Sequence, residues 1–506
     1  MHPILALSFS LTMITYLVLQ VILHATQDKR EPAMLKSRVP FFDTSIDMFR
    51  HRAKYWATLR GQCNFGILTL RMPFQRIYVV HAPDLIHALQ HKAISANLVP
   101  NLLEFGMLFS GLNKSSRAIL RKAFSTGGNS FTMSVHKYLL SGSSLQSATK
   151  AAVDLLSAAL PNHIEENSQT GLLEMVRHEL TLALTGAIYG PENPYDDPEI
   201  EASWGDFVPG IKHLLYSPLP SLTARKALHA RHRIVSAFRK YFETDGHKQA
   251  FPMIQTMYEL NLAHGLPPSE AAKMEMATSL AMLSSGAITT FWLLFHILSD
   301  ADALARIRAE LTAAATVEST TLEDGSARRT MALDLSVLKT TCPTLLAMFH
   351  ETLRHHSTVL TIKQVQSDTP LSSYLLKKSS IVMIPSQSVH QNAQIWGPTA
   401  STFSHTRFLA PDSRKKASST ASFRPFGAGA SMCPGRMFST NVILSFVAMV
   451  LLRYDVAPVE GEWVEPETRD ADVWNAMPKP DWDLGVRVGR REEQVDWKFV
   501  WRRDGV

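Results

Sequence analysis

The longest apolar stretch of the sequence lies at its N-terminus. Pro3 to Ala25 contain no Asp, Glu, Lys or Arg, and about 20 apolar residues in a helix cross the hydrocarbon core of a bilayer. A cleaved signal peptide would show a positively charged start and a shorter apolar core, and this segment has neither. Basic residues follow it at positions 29, 30, 36 and 38, so the positive-inside rule leaves the rest of the chain in the cytoplasm. Residues 1–25 are therefore predicted to form a single-pass membrane anchor.

Alternation of apolar and polar positions predicts two strands after the anchor. They cover Phe65 to Arg71 and Arg76 to His81. A helix is predicted to begin on Pro83, because proline fits the first turn of a helix. Residues 26–44, which precede this unit and contain two prolines, are predicted to form a short, stiff linker.

From there to about residue 355 the apolar positions recur with helical spacing. The clearest stretches are residues 172–190 and 274–298. Strand-like runs return at 379–389, 483–488 and 496–501. Neither a fixed repeat nor a break in composition divides residues 45–506. We therefore expect one large domain, mainly α with small β-sheets.

Composition and charge narrow the class of protein. A chain of 506 residues that is 45% hydrophobic and 19% charged has the make-up of a folded protein with a sizeable core. The net charge is +6, and the basic residues are spread along the chain instead of forming an arm with interleaved aromatics. Nucleic acid is therefore not an expected partner. Only three, widely separated cysteines occur, which argues against a disulfide framework and favours a reducing compartment.

One of these cysteines, Cys433, lies in the glycine-rich run "FGAGASMCPGR" just before an apolar helix. Such a loop turns backbone amides toward the sulfur, and the N-terminus of a helix favours a negative charge. The surroundings therefore suit a thiolate that binds a metal or acts as a nucleophile. The alternative is a buried, inert cysteine, which is our interpretation of Cys63 and of Cys342. A zinc site is not indicated, because neither a CxxC pair nor a nearby histidine accompanies Cys433.

The spacing Phe426-x-x-Gly429-x-x-x-Cys433-x-Gly435 resembles the haem-binding signature of the cytochrome P-450 family. In that family the cysteine is the axial ligand of the haem iron. The resemblance therefore implies that Cys433 is the metal ligand and that the other three residues form the loop that carries the cofactor.

Further motifs of the same family occur in the family's order along the chain. Glu351 and Arg354 in "ETLR" resemble its buried ion pair, and Arg407 in "FSHTRFL" resembles the arginine that joins that pair. "SGAITT" resembles the kinked oxygen-binding motif of the long central helix, with Thr289 at the threonine position. Taken singly, these residues have simpler explanations, such as an ordinary helix pair or a threonine bonded back to a carbonyl.

This chain departs from the family pattern at two places. Ile288 replaces the acidic residue that usually precedes the threonine, and an isoleucine cannot relay a proton. Ser431 replaces the basic residue that usually lies two positions before the cysteine. By the resemblance, Arg117 and Lys363 are the side chains expected to bind the two haem carboxylates, because buried carboxylates need charge-assisted hydrogen bonds.

The resemblance covers nearly the whole chain and implies a haem-dependent monooxygenase with haem b, iron protoporphyrin IX, as cofactor. It would use molecular oxygen to oxidise a lipophilic small molecule, in specialised-metabolite biosynthesis. An NADPH-cytochrome reductase would supply electrons, with the enzyme in the endoplasmic reticulum membrane and its catalytic domain in the cytoplasm. The side chains expected to dock the reductase are Arg414, Lys415, Lys416, Arg424 and Arg436.

Two other functions remain open at this point. The apolar Ile288 suits a haem-thiolate isomerase or dehydratase that rearranges a peroxide without a reductase. A membrane-tethered haem sensor is the second alternative, although Thr289 and a substrate-sized helical scaffold argue against it.

Overall fold

The computed structural model describes residues 3–502 apart from 63–64, 92–93, 95–97, 101, 126–129, 164–167, 218, 322–326, 411–418, 430–431, 473–474 and 492–494. Over these residues the chain is mostly helical and its strands form small sheets. The predicted fold class is therefore confirmed. Cys63 lies outside the described residues.

The helices are α1 (Pro3–Ala25), α2 (Asp43–His51), α3 (Tyr55–Gln62), α4 (Pro83–Gln90), α5 (Leu102–Phe109), α6 (Lys114–Ser125), α7 (Ser130–Leu139), α8 (Gly142–His163), α9 (Leu172–Tyr189), α10 (Pro198–Tyr216), α11 (Pro220–Thr223), α12 (Arg225–Glu243), α13 (Pro252–Ala263), α14 (Pro268–Leu283), α15 (Gly286–Leu298), α16 (Ala301–Ala313), α17 (Leu338–Thr341), α18 (Pro343–His356), α19 (Ser386–His390), α20 (Ala393–Trp396) and α21 (Arg436–Arg453). The strands are β1 (Ile67–Met72), β2 (Gln75–Val80), β3 (Leu98–Pro100), β4 (Ser168–Gly171), β5 (Thr316–Thr321), β6 (Ala327–Asp334), β7 (Leu360–Val365), β8 (Thr369–Leu371), β9 (Tyr374–Leu376), β10 (Ile381–Pro385), β11 (Tyr454–Pro458), β12 (Gly485–Arg490) and β13 (Asp496–Val500).

The five-stranded sheet has the order β1-β2-β10-β7-β3, and its first pair is the antiparallel unit predicted after the anchor, with Leu70 opposite Ile77. The predicted strand over 379–389 is right only as far as Pro385, where α19 begins. The chain leaves the ladder there because Ser386 donates its N–H to the Val359 carbonyl and its hydroxyl to the Arg424 carbonyl. The smaller sheets are β11-β12-β4, β13-β6-β5 and β8-β9.

The helix predicted over 274–298 is present as two helices, α14 and α15, with Ser284 and Ser285 between them. Helical hydrogen bonding continues on both sides of this break, from the Ser284 N–H to the Leu280 carbonyl and from the Thr289 N–H to the Ser285 carbonyl. Breaks of this kind occur at Gly/Ser pairs, where the helical backbone conformation is only weakly favoured. The sequence "SSG" therefore explains the break.

Helices α15, α18 and α21 contact one another in the main hydrophobic core. α15 and α21 are apolar on nearly all sides, as is expected of helices buried on every face. Three described segments are long and apolar enough to cross a membrane: α1, the stretch 268–298 that α14 and α15 form together, and α21. Only α1 is largely exposed, so it is the candidate membrane anchor.

Residues 26–44 pack along β1. Leu35 donates its N–H to the Thr69 carbonyl at 2.9 Å, and Thr69 donates its own N–H to the Ala33 carbonyl at 2.8 Å. The buried Glu31 carboxylate lies 2.9 Å from Arg76 Nε and accepts the Tyr78 hydroxyl at 2.6 Å. Hydrogen bonds and an ion pair therefore join the segment after the anchor to the first sheet.

Candidate active site

A glycine-rich loop carries Cys433 to the N-terminus of α21. The Cys433 N–H donates to the Phe426 carbonyl oxygen at 2.8 Å, which closes the loop. Gly427 and Gly429 have φ of 76° and 59°, a conformation that glycine adopts without Cβ strain. The backbone therefore explains the glycine at 429. At Gly435 φ is −85°, and an added Cβ meets no atom within 4 Å, so the loop leaves open space there.

Desolvation raises the pKa of the Cys433 thiol above its usual value. It outweighs the backbone N–H groups of Gly435 and Arg436 and the Arg436 charge, which lower the pKa. The loop alone therefore does not hold a thiolate, and a cation at the sulfur would be needed. Cys342 is buried, and burial raises its pKa to about 11, which agrees with a structural cysteine.

The Glu351–Arg354 pair lies on α18 and is fully buried. Arg354 Nε and Nη2 donate to the two carboxylate oxygens at 2.7 and 2.8 Å. The remaining donors of Arg354 reach the carbonyls of His390, Ala400 and Thr402. The pair therefore binds the chain that leads from α19 toward the cysteine loop.

Arg407 lies on that same chain. Its Nε is 3.5 Å from Glu351 Oε1, and its other nitrogens donate to the Trp396 and Thr399 carbonyls at 2.7 and 2.9 Å. Glu351 also accepts the Ser404 N–H at 2.8 Å. The three sequence-predicted residues Glu351, Arg354 and Arg407 are thus brought together in one network.

Thr289 lies one turn after the break between α14 and α15 and is buried. Its hydroxyl donates to the Ser285 carbonyl at 2.8 Å. Thr290 makes the equivalent bond to the Gly286 carbonyl at 2.9 Å. Ser284 and Ser285 have hydroxyl oxygens 3.5 Å apart at the break, whereas Ile288 adds only apolar surface.

The two residues predicted to bind haem carboxylates lie on different elements. Arg117 is on α6, and its Nε is buried without a hydrogen-bond partner among the described residues. Asn113 caps that helix by accepting the Ser116 N–H at 2.8 Å. Lys363 is on β7 and only 5% exposed, and its side chain forms neither a hydrogen bond nor an ion pair with any residue that the structure describes.

Arg424 is another buried cation, at 1% exposure. Sequence reasoning assigned it to the reductase-docking surface, and the structure contradicts that prediction because a side chain enclosed by the core cannot contact a partner. Arg436 is half-buried and donates to the Cys433 carbonyl at 3.0 Å. Arg414, Lys415, Lys416 and Ser431 lie outside the described residues. The sequence feature consistent with the burial of Arg424 is its place in "SFRPFGAG", between apolar residues at the start of the cysteine loop.

Comparison with known proteins identifies the family. The family model described as Cytochrome P-450 matches residues 276–482. The chain is 30% identical to cytochrome P-450 monooxygenase nodJ of Hypoxylon pulicicidum, over 94% of this chain and 93% of the relative. It is 26% identical to a cytochrome P-450 monooxygenase of Gibberella zeae, over 94% and 92% of the two chains. A retinoic-acid-bound cyanobacterial CYP120A1 has a similar fold, with a TM-score of 0.65 at 16% identity over 91% of this chain and 99% of that one.

The cysteine loop, the helix break and the end-to-end match define a haem-thiolate oxidoreductase. The chain belongs to the cytochrome P-450 family and is a monooxygenase. Membership implies a haem-thiolate cofactor with iron, molecular oxygen as co-substrate and a redox partner that supplies electrons.

The residues present fit such a cofactor. Cys433 offers a sulfur at the N-terminus of α21, where backbone N–H groups lower the pKa of the thiol, and a metal cation would supply the charge that the thiolate needs. Lys363 and Arg424 are buried cations without a carboxylate partner among the described residues, as expected where an anionic group binds. Space beside Gly435 is open.

Proposed function

We propose that this protein is a membrane-anchored monooxygenase that oxidises a lipophilic small molecule in specialised-metabolite biosynthesis. The observation that carries the proposal is the match over 94% of the chain to a fungal monooxygenase. We further propose haem b as the cofactor and an NADPH-cytochrome reductase as the electron donor. Residues 1–25 would be the anchor, 26–44 the connecting segment and 45–506 the catalytic domain. The exposed apolar helix α1 supports a single membrane span, and we place it in the endoplasmic reticulum membrane with the catalytic domain in the cytoplasm.

In this proposal Cys433 is the iron ligand, and Phe426, Gly429 and Gly435 shape the loop that presents it. Haem, when bound, supplies the iron at which dioxygen is reduced, so that one oxygen atom enters the substrate and the other leaves as water. Glu351, Arg354 and Arg407 hold the chain that precedes the loop. They contact one another and backbone groups of that chain, so they act through position and not through contact with the substrate.

Thr289 would position the water that delivers a proton for oxygen reduction. Its hydroxyl is fixed by the bond to the Ser285 carbonyl, and its oxygen lone pairs can accept a hydrogen bond from water. Because Ile288 carries no ionisable group, water and the hydroxyls of Ser284 and Ser285 would complete the route. Apolar side chains of α15 would favour a lipophilic substrate.

The test is turnover by the purified full-length protein in detergent with a cytochrome reductase. We expect products that contain one atom from labelled dioxygen and that form only with NADPH and reductase. Turnover of a hydroperoxide without either would instead support the isomerase hypothesis. Haem binding without any substrate-induced spectral shift, across a panel of lipophiles, would support a sensor.

A further inference from the structure

Among the residues that the structure describes, Arg354 and Arg424 are fully buried, and the groups that accept their hydrogen bonds differ in charge. Arg354 faces the Glu351 carboxylate and has a partner for each of its three nitrogens. Arg424 donates from Nη2 to the Thr361 hydroxyl at 2.8 Å and from Nη1 to the Thr420 carbonyl at 3.2 Å. Both of these acceptors are neutral.

No described carboxylate lies within ion-pair distance of Arg424, and its buried Nε has no hydrogen-bond partner among the described residues. Burying a charge without a counter-charge is strongly unfavourable. A guanidinium is not relieved of this cost by losing its proton: burial lowers the pKa of Arg424 only to about 10, well above neutral pH.

A second buried cation lies beside it. Thr361 and Lys363 are alternate residues of β7, so their side chains leave the same face of the strand. Arg424 bonds Thr361 directly, and its charge lowers the pKa of Lys363, although burial is the larger cause. The nearby His390 is neutral and accepts the Arg424 backbone N–H at 2.9 Å. The described side chains around Arg424 and Lys363 therefore supply positive charge and no negative charge.

We propose that Arg424 and Lys363 together form the receptor for a haem carboxylate, with Arg424 taking over the role of the basic residue that this chain lacks at Ser431. The proposal rests on the proposed use of haem b. Arg424 begins the loop that ends at Cys433, so one loop would bind both the iron and a carboxylate of the same cofactor. A planar guanidinium also suits a carboxylate, which it can bind through two parallel hydrogen bonds.

The experiment uses full-length apoprotein from haem-deficient cells, titrated with haemin and with the dimethyl ester of haemin. The ester keeps the iron and the ring but has no carboxylate charge. We expect the wild type to prefer haemin by at least about tenfold, the effect of one charge-assisted hydrogen bond. Arg424→Met and Lys363→Met should each lower that preference several-fold, while the carboxylate that Arg117 is expected to bind still favours haemin. Arg424→Lys should retain part of the preference for haemin, because lysine keeps the positive charge but lacks the two parallel N–H donors of a guanidinium.

Arg453→Met is the matched control. Arg453 is half-buried at the far end of α21, where it bonds the Ser157 and Trp497 carbonyls. Its loss should leave the preference for haemin unchanged even where it weakens the fold. An Arg424→Met protein that binds haemin with the wild-type preference would overturn the receptor alone. A wild type that binds neither porphyrin would overturn the haem proposal and this inference together.

The thermal stability of the apoprotein can be measured even where a variant incorporates haem poorly. A purely structural Arg424 would make Arg424→Met less stable in the absence of haem. The receptor proposal expects apo Arg424→Met to unfold at no lower temperature than apo wild type, because an unpaired buried charge is removed. The stabilisation by added haemin should then be smaller in the variant. A clear loss of apo stability with an unchanged response to haemin would contradict the proposal.

Discussion

Glu351 and Arg354 form a fully buried, bidentate ion pair one helical turn apart, at 2.7 and 2.8 Å. The rest of the Arg354 guanidinium binds carbonyls of the segment 390–402. The pair therefore joins α18 to the chain that leads into the cysteine loop.

Glu351→Gln should destabilise the protein by about 3–5 kcal/mol, because it leaves the Arg354 charge buried without a counter-charge. Chemical denaturation followed by far-UV circular dichroism measures this change. Asp154→Asn is the control, since the Lys150–Asp154 pair is exposed and its loss should cost no more than about 0.5 kcal/mol. Equal effects of the two substitutions would refute the structural role of the buried pair.

Thr289→Ala should lower the product formed per NADPH consumed and increase peroxide release, because the fixed hydroxyl beside the helix break is lost. Thr290→Ala is a close control, since that threonine makes the same kind of backbone bond one residue further along. Both variants should keep the thiolate-type spectrum. If Thr290→Ala uncouples as strongly as Thr289→Ala, the effect belongs to helix stability and not to a proton route.

Removal of residues 1–25 should release the protein from membranes while it still binds haem, because the residues that contact the cofactor in our proposal lie far downstream. Removal of 1–44 should also weaken the fold. Without Glu31 the buried Tyr78 hydroxyl loses an acceptor and Arg76 its counter-charge, and a buried unsatisfied group costs about 1–3 kcal/mol. Flotation and thermal unfolding of the two truncations measure both effects. Equal stability of the two would show that the 26–44 segment contributes nothing.

A buried carboxylate predicts a pH dependence of stability. Glu275 accepts the Tyr189 hydroxyl at 3.0 Å, and burial raises its pKa to about 7. Between its unfolded pKa, 4.5, and about 7 the folded state binds the extra proton. Stability therefore falls as pH rises, by up to about 1.4 kcal/mol per unit for this group. Glu275→Gln should gain stability relative to wild type between pH 5 and 8, and a difference that does not change with pH would contradict the assignment.

The sequence predicts those features that are encoded locally. The Ser-Ser-Gly run accounts for the break in the central helix. The positive φ at position 429 of the cysteine loop accounts for the glycine there. The sequence predicts the strand that covers 381–385 but extends it to residue 389. The strand ends earlier because tertiary hydrogen bonds from Ser386 turn the chain into α19. Local pattern could not show those bonds.

The burial of Arg424 also could not be predicted from the sequence. From the sequence alone, a basic residue near the cysteine loop is expected at the surface, since charged side chains are seldom fully buried. Its burial depends on Thr361 and His390, which come from distant parts of the chain. The packing of residues 26–44 on β1 likewise depends on side chains more than 30 residues away, which no local spacing reveals.

The central claim is that Cys433 binds the iron of a haem cofactor as a thiolate. The most direct test is the carbon monoxide difference spectrum of the reduced full-length protein and of its Cys433→Ser and Cys342→Ser variants. We predict the red-shifted, thiolate-type absorption band for the wild type and for Cys342→Ser, and its loss in Cys433→Ser. A thiolate-type band that persists in Cys433→Ser would contradict the account.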